Sequence, residues 1–464
     1  RPARKDRTPA VAPAPLPPLR KAARALARAR PPSRTRVEEA LARSADPQGE
    51  GARGFVTVHA QAARHQADAM DVARRNGYAP SAVAGLPISV KDLFDEAGST
   101  TRAGSQVLEG APPASADAPA IQALKQAGLV SIGRTTMTEF AFSGVGINPH
   151  YGTPANPWQR AEGRIPGGSS SGAAISVSDS MAFVGMGSDT GGSCRIPAAL
   201  TGLVGYKPTA RRIATRGTVP LSTTLDSIGS IGRSVACCWA ADSLMATGTL
   251  PLHNAPTGRE GRTLRLGVLS TIVMDGMDST VSQTWERCLH RLAGHGTLLE
   301  DVACPPLLDI AAANSKGGFP AAQSLTWHQP LLDSHRATYD PFVLHRILRG
   351  NEQSAVDYIT LCQARARIGR QVADGLDQYD AIILPTVPII APRIADMDDN
   401  DRYVATNLLL LRNTTLANFL DRCAISLPCH TPGEAPVGLM VMGRTNGDAA
   451  LFDIAAQLER MLAD

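Results

Sequence analysis

The sequence is short of aromatic residues, at 4% of its 464 positions, and it has no long hydrophobic run. No stretch approaches the roughly 18 consecutive apolar residues needed to cross a bilayer. The first residues also lack the apolar centre of a secretory signal. A cytoplasmic protein without a membrane segment is expected. Cysteine occurs 8 times but never as C-x-x-C, and only Cys237 and Cys238 are close neighbours. That spacing fits neither a zinc site nor the framework of a small secreted disulfide protein, which leaves reduced thiols. Walker-type phosphate loops and HExxH helices are missing too, so no metal and no other cofactor is expected.

A strong charge of one sign is also missing from the chain as a whole, whose formal net charge is +4. Residues 1–36 nevertheless hold eleven basic side chains against one acid, Asp6, so a local +10 leaves −6 for the rest. Residues 1–34 read as a basic Pro/Ala-rich arm, a flexible leader followed by a short solvated helix from about Pro17 to Arg30. No aromatic residues interleave its arginines, so nucleic acid is not an expected partner.

Glycine (42) and proline (34) are plentiful, which points to many tight turns and backbone-rich loops. A 43% hydrophobic content and a mean hydropathy of −0.08 describe a globular chain. Its length alone suggests about three domains, but α/β enzymes run well beyond ~250 residues as one unit. Residues 35–76 read as helical up to the stop at Asn76-Gly77. Residues 83–90 (VAGLPISV) form a buried-strand pattern that runs into Lys91. Residues 117–127, closed by Gly128, have helical spacing, and residues 129–132 are a short apolar strand. Residues 173–187 begin as a helix and end as a buried strand. Residues 265–269 and 381–384 are further strands, 306–375 are mostly helical, and 448–463 read as a closing amphipathic helix. This alternation of strand and helix favours an α/β class.

Two Gly/Ser clusters carry the chemistry: residues 167–172 (GGSSSG) and 189–197 (DTGGSCRIP). Glycine permits positive φ and lets other atoms approach the chain closely. A run such as Thr190-Gly191-Gly192-Ser193 can aim consecutive N–H groups at one point, as an oxyanion hole requires, with Ser193 placed as nucleophile. Both clusters abut strongly apolar segments, unlike polar linkers.

A serine hydroxyl needs a base. His59, His65, His290 and His295 lie in helical stretches that read as exposed. His328, His335 and His345 lie in the helical 306–375 region without an acidic orienter. Lys91, ending an apolar strand, would act as a base if burial held it neutral. A surface pairing of Lys91 with Asp92 or Asp95 fits its position equally well.

GLPISVKDLFD, PGGSSSGAA and GSDTGGSCRIPAALTGLVGYKPT together resemble the amidase signature family of serine hydrolases. The spacing from Ser169 to Ser193 matches, and the likeness runs over roughly residues 50–464, through LDSIG, YDAIILPTVP and APVGLMVMG. It implies a single large α/β/α domain over 35–464, with a central mixed, twisted β-sheet and a helical cap near 300–375. It implies Ser193 as nucleophile, Ser169 as bridging serine after a non-proline cis bond, and Lys91 as terminal base. Thr190, Gly191 and Gly192 would join Ser193 in the oxyanion hole, and Ala141, Phe142 and Gly144 would line the acyl pocket. Ser170, Asp189 and Arg195 would support the loops by hydrogen bonding, and Cys194 reads as a small buried side chain.

The implied activity is hydrolysis of an amide, anilide or carbamate through an acyl-enzyme, with a small molecule as partner and a monomer or homodimer as the working unit. The alternative is a glutaminase-type subunit of a tRNA-dependent amidotransferase complex. A nucleophile elbow at 168–172 with Ser170 as nucleophile fits less well. RAEGRIP before it makes a poor strand, and the second Gly-rich cluster would go unexplained.

Overall fold

The computed structural model describes residues 31–251, 255–256 and 262–463. The basic arm's leader and its expected helix up to Arg30 lie outside these residues. Eleven strands form one mixed sheet: β1 (Phe55–Val58), β2 (Pro87–Lys91), β3 (Val130–Thr135), β4 (Val184–Asp189), β5 (Val204–Lys207), β6 (Ser227–Gly232), β7 (Arg265–Leu269), β8 (Leu298–Val302), β9 (Ala381–Pro385), β10 (Ala424–Pro428) and β11 (Gly438–Met442). Their spatial order is β1-β3-β2-β4-β6-β5-β10-β11-β9-β7-β8. β2 runs parallel to both β3 and β4, whereas β6 is antiparallel to β4 and β5.

The parallel pairing of β2 and β4 positions the site. The two strands end at the same edge, so Lys91 and the Gly-rich loop after Asp189 emerge side by side. Strand periodicity then sets direction. Ile88 and Val90 enter the largest core cluster. Ser89 points the other way and hydrogen-bonds Ser176 at 2.7 Å on the helix Ser171–Ser178. Lys91 shares the parity of Ser89, which aims it at the segment that opens this helix. Close approach here depends on glycine: a Cβ on Gly187 of β4 would sit 2.8 Å from both Ser170 Oγ and Cys194 Sγ.

The strands expected at 265–269 and 381–384 and the closing helix appear as Arg265–Leu269, Ala381–Pro385 and Asp448–Ala463. Residues 35–76 differ from expectation. A helix, Ser33–Ser44, and a second, Ala60–Arg75, flank β1, which pairs antiparallel with β3 at the sheet edge. The Phe-Val-Thr-Val run suits a pleated surface better than a helix, and β3 offers it an open edge. Between β8 and β9 the chain forms the helices Gly318–His335, Pro341–Leu348 and Ala355–Leu376. Phe319, Leu361 and Ile368 of this region pack with Leu384 of β9 in a second core cluster.

Candidate active site

Lys91 is fully buried, and its Nζ donates to Ser169 Oγ at 2.7 Å and to Ser188 Oγ at 2.9 Å. Pairing with Asp92 or Asp95 at the surface does not occur. Asp92 Oδ1 instead accepts from Arg134 Nε at 2.7 Å, and Asp95 Oδ1 accepts from Thr101 Oγ1. Burial pushes the Lys91 ammonium down to about 8, against the opposing pull of nearby anionic groups that include Asp189 and Asp226. A second buried lysine, Lys207, provides a contrast. Burial brings it to about 8 as well, but its Nζ donates to the carbonyls of Pro208 and Arg422. Carbonyls only accept, so they hold Lys207 as a donor. The hydroxyls facing Lys91 can reverse direction and donate to a neutral amine, as a proton relay requires.

Ser169 is fully buried and follows a cis Gly168–Ser169 peptide. Its carbonyl accepts from Thr138 N–H at 3.1 Å, and Gly168 N–H donates to Gly144 O at 2.8 Å. The two Gly/Ser clusters are tied together where Ser170 N–H donates to Ser193 O at 3.2 Å.

The second cluster winds round Asp189. Its carboxylate accepts from Gly192 N–H (2.9 Å) and Cys194 N–H (3.1 Å), and takes Arg195 Nη2 and Nε at 2.8 and 3.0 Å. Burial alone would raise the Asp189 carboxyl, but Arg195 and the hydrogen bonds outweigh it and hold it at about 2. Gly192 has φ +134°, and a Cβ there would fall 2.2 Å from Thr414 Oγ1. Thr414 Oγ1 also donates to Gly191 O at 2.6 Å, while Thr190 Oγ1 donates to Asp226 Oδ1 at 2.6 Å. Asp189, Arg195 and Ser170 thus sit within the hydrogen bonding that shapes the loops. Burial lifts the Cys194 thiol to about 12, so it packs as a protonated side chain.

Ser193 is 4% exposed and lies on the wall of a cavity of about 730 Å³. Ala141, Phe142, Ser143, Thr190 and Gly191 share this wall. Gly144 and Gly192, also expected there, lie behind it. Gly144 N–H donates to Asn407 Oδ1 at 2.8 Å, and Gly192 N–H is engaged by Asp189, so neither N–H is turned toward the cavity. Lys91 and Ser169 lie beneath the wall rather than on it. The helices of the 306–375 region supply part of the cavity, including Leu307, Ile310 and Phe342, and so does the helix Asn400–Phe419 through Asn407 and Leu411.

Ser188, Asp226, Thr414 and Asn407 carry site contacts that the sequence assigned to no role. Ser188 had a signal, since it lies on the apolar strand that leads into the Gly-rich loop. Thr414 and Asn407 had none, because only the tertiary fold carries their helix to the loop. Among the described residues no group of three or more His, Cys, Asp or Glu side chains could hold a metal ion. None of the described helices is long and apolar enough to cross a membrane.

A family model described as Amidase matches residues 37–452. The 2-amino-5-chloromuconic acid deaminase of Comamonas testosteroni is 34% identical over 403 residues, 86% of each chain. A glutamyl-tRNA(Gln) amidotransferase subunit from Synechococcus sp. (strain RCC307) is 31% identical, covering 91% of this chain and 93% of that protein. A solved structure described as an amidase superposes with a TM-score of 0.84 at 28% identity, over 95% of this chain and 99% of its own. With its mixed sheet, its two Gly/Ser clusters and these relatives, the chain belongs to the amidase family.

Proposed function

We propose that this amidase-family hydrolase cleaves the C–N bond of a small amide, anilide or carbamate through an acyl-enzyme on Ser193. The observation that carries the reading is the buried Lys91 amine 2.7 Å from Ser169 Oγ, beneath a cavity wall that presents Ser193. Neutral Lys91 takes the Ser169 proton as Ser169 takes that of Ser193. Ser193 Oγ bonds to the carbonyl carbon, and the oxyanion is met by the N–H groups of Thr190, Gly191 and Ser193. The C–N bond then breaks, and the relay returns the proton to the leaving nitrogen. Water repeats the sequence on the acyl-enzyme, releasing the acid and restoring Ser193.

All three groups come from one chain, which supports a monomer or homodimer that needs no partner for chemistry. All eight cysteines are free thiols, and seven are buried, which supports a reducing compartment such as the cytoplasm. The boundary expected at residue 35 falls inside the helix Ser33–Ser44, where Ser33 and Arg34 N–H donate to the Asp71 carboxylate, so the working unit is read as reaching back at least to residue 33.

The likeness to an amidotransferase component supports a second reading, release of ammonia from glutamine within a complex. No Asp or Glu is among the described residues lining the cavity, which leaves no carboxylate for glutamine's ammonium and favours the first reading. The test is hydrolysis of a p-nitroanilide by the purified chain alone, together with fluorophosphonate labelling of Ser193. Activity that required an added partner protein would favour the second reading.

A further inference from the structure

The cavity beside Ser193 is unusual in its charge. Its described lining includes His345, Arg346, Arg349 and Arg412, and no acid. Arg349 has an acid nearby, Glu352 at 3.5 Å, and Arg412 donates to the carbonyls of Val273 and Asp275. Arg346 differs from both. It makes no hydrogen bond and no ion pair among the described residues, and its Nε is sealed from solvent without an acceptor. Its guanidinium lies over the Phe142 ring, 4.7 Å from the centroid, on the same wall as Ser193. Burial brings it down to about 10, still protonated at neutral pH.

A half-buried guanidinium whose Nε is sealed from water, with neither acid nor carbonyl to receive it, is costly. A structural arginine would recover that cost through an internal partner, as Arg195 does with Asp189. The Phe142 ring recovers only part of it. What remains is a planar fork of donors facing a mostly apolar cavity, a shape and charge that match a carboxylate.

We infer that the enzyme's substrates are amides whose acyl part carries a carboxylate, and that Arg346 binds this group while the apolar wall takes the intervening carbons. This deepens the amidase reading and rests on it for which bond is cut. Phe142 ties Arg346 to the stretch expected to form the acyl pocket, which puts the carboxylate on the acyl side. The absence of acids from the described lining argues against a substrate that also bears an ammonium.

The test uses the purified full chain and p-nitroanilides of succinic, glutaric and adipic acids. Each is paired with a counterpart in which an isopropyl group replaces the carboxylate. The carboxylate member of at least one pair is expected to be preferred by roughly tenfold or more in kcat/KM, because a site built around a charge leaves it unpaired with the neutral analogue. Arg346→Met should bring the preference toward one, chiefly through KM, and Arg346→Lys should retain part of it. Arg287→Met, outside the cavity, serves as control. Equal or better hydrolysis of the isopropyl members, or a preference that survives Arg346→Met, would overturn the inference while leaving the amidase reading intact.

If no reporter is turned over, calorimetric binding of the free diacids to Ser193→Ala decides. Binding that disappears on adding Arg346→Met upholds the anion site although the reaction assignment fails. No binding overturns the site as well.

Discussion

The Asp189 carboxylate grips Arg195 with both oxygens, and the same oxygens accept the N–H groups of Gly192 and Cys194, the neighbours of Ser193 on either side. Both side chains are fully buried, so the pair shapes the loop that carries Ser193 without touching the cavity. Removing one partner strands the other charge. Arg195→Met is therefore expected to destabilise the protein by about 3–5 kcal/mol. Urea unfolding measures this, and a loss below about 1 kcal/mol would mean that the pair does not order the loop.

Ser193→Ala should abolish fluorophosphonate labelling and reporter hydrolysis. Ser169→Ala should keep the fold and lower kcat by roughly 10²–10⁴, the usual span for general acid–base groups. Labelling that persisted in Ser193→Ala would remove Ser193 from the role of nucleophile.

The proposed relay needs Lys91 neutral, and burial holds it at about 8. kcat/KM should therefore rise with pH and level off above about 8. A profile flat from pH 6 to 9 would rule Lys91 out as the base.

The same burial has a stability consequence of definite sign. The folded lysine sits near 8 and the unfolded one at 10.5, so the unfolded chain binds more protons between those values and stability rises with pH across them. The cost of the buried charge, about 3 kcal/mol, is present in full below pH 8 and gone above 10.5. Lys91→Met should be at least as stable as the parent at pH 7, and this advantage should shrink toward pH 10. Lys207 titrates alike in both proteins and drops out of the comparison. An advantage that grew with pH would contradict burial as the cause.

Ser188 shares Lys91 Nζ with Ser169 and steers the amine through its second hydrogen bond. Ser188→Ala should lower kcat about tenfold with KM unchanged, roughly the upper cost of losing one hydrogen bond to a neutral amine. Ser188→Thr, which keeps the hydroxyl, should restore it. A change confined to KM would place Ser188 in substrate binding instead.

The sequence by itself determined the family and the local features carried by contiguous segments. Residues 189–197 read as a nucleophile loop because a glycine-rich backbone and its serine act within one turn, and the strand running into Lys91 was visible in its apolar pattern. The strand at Phe55–Val58 was hidden, because four residues carry too little periodicity against their Ala-rich neighbours and only pairing with β3 reveals them. The tertiary structure alone decided whether Lys91 is a surface ion-pair member or a buried amine. That depended on β2 lying parallel to β4 and on a helix approaching across glycines, which brings Ser169 and Ser188 to Nζ while Arg134 occupies Asp92. It likewise decided that Gly192 and Gly144 serve the loops rather than the cavity, and that Arg346 faces Phe142 without an acid. Such contacts join residues far apart in the chain, and local preferences do not encode them.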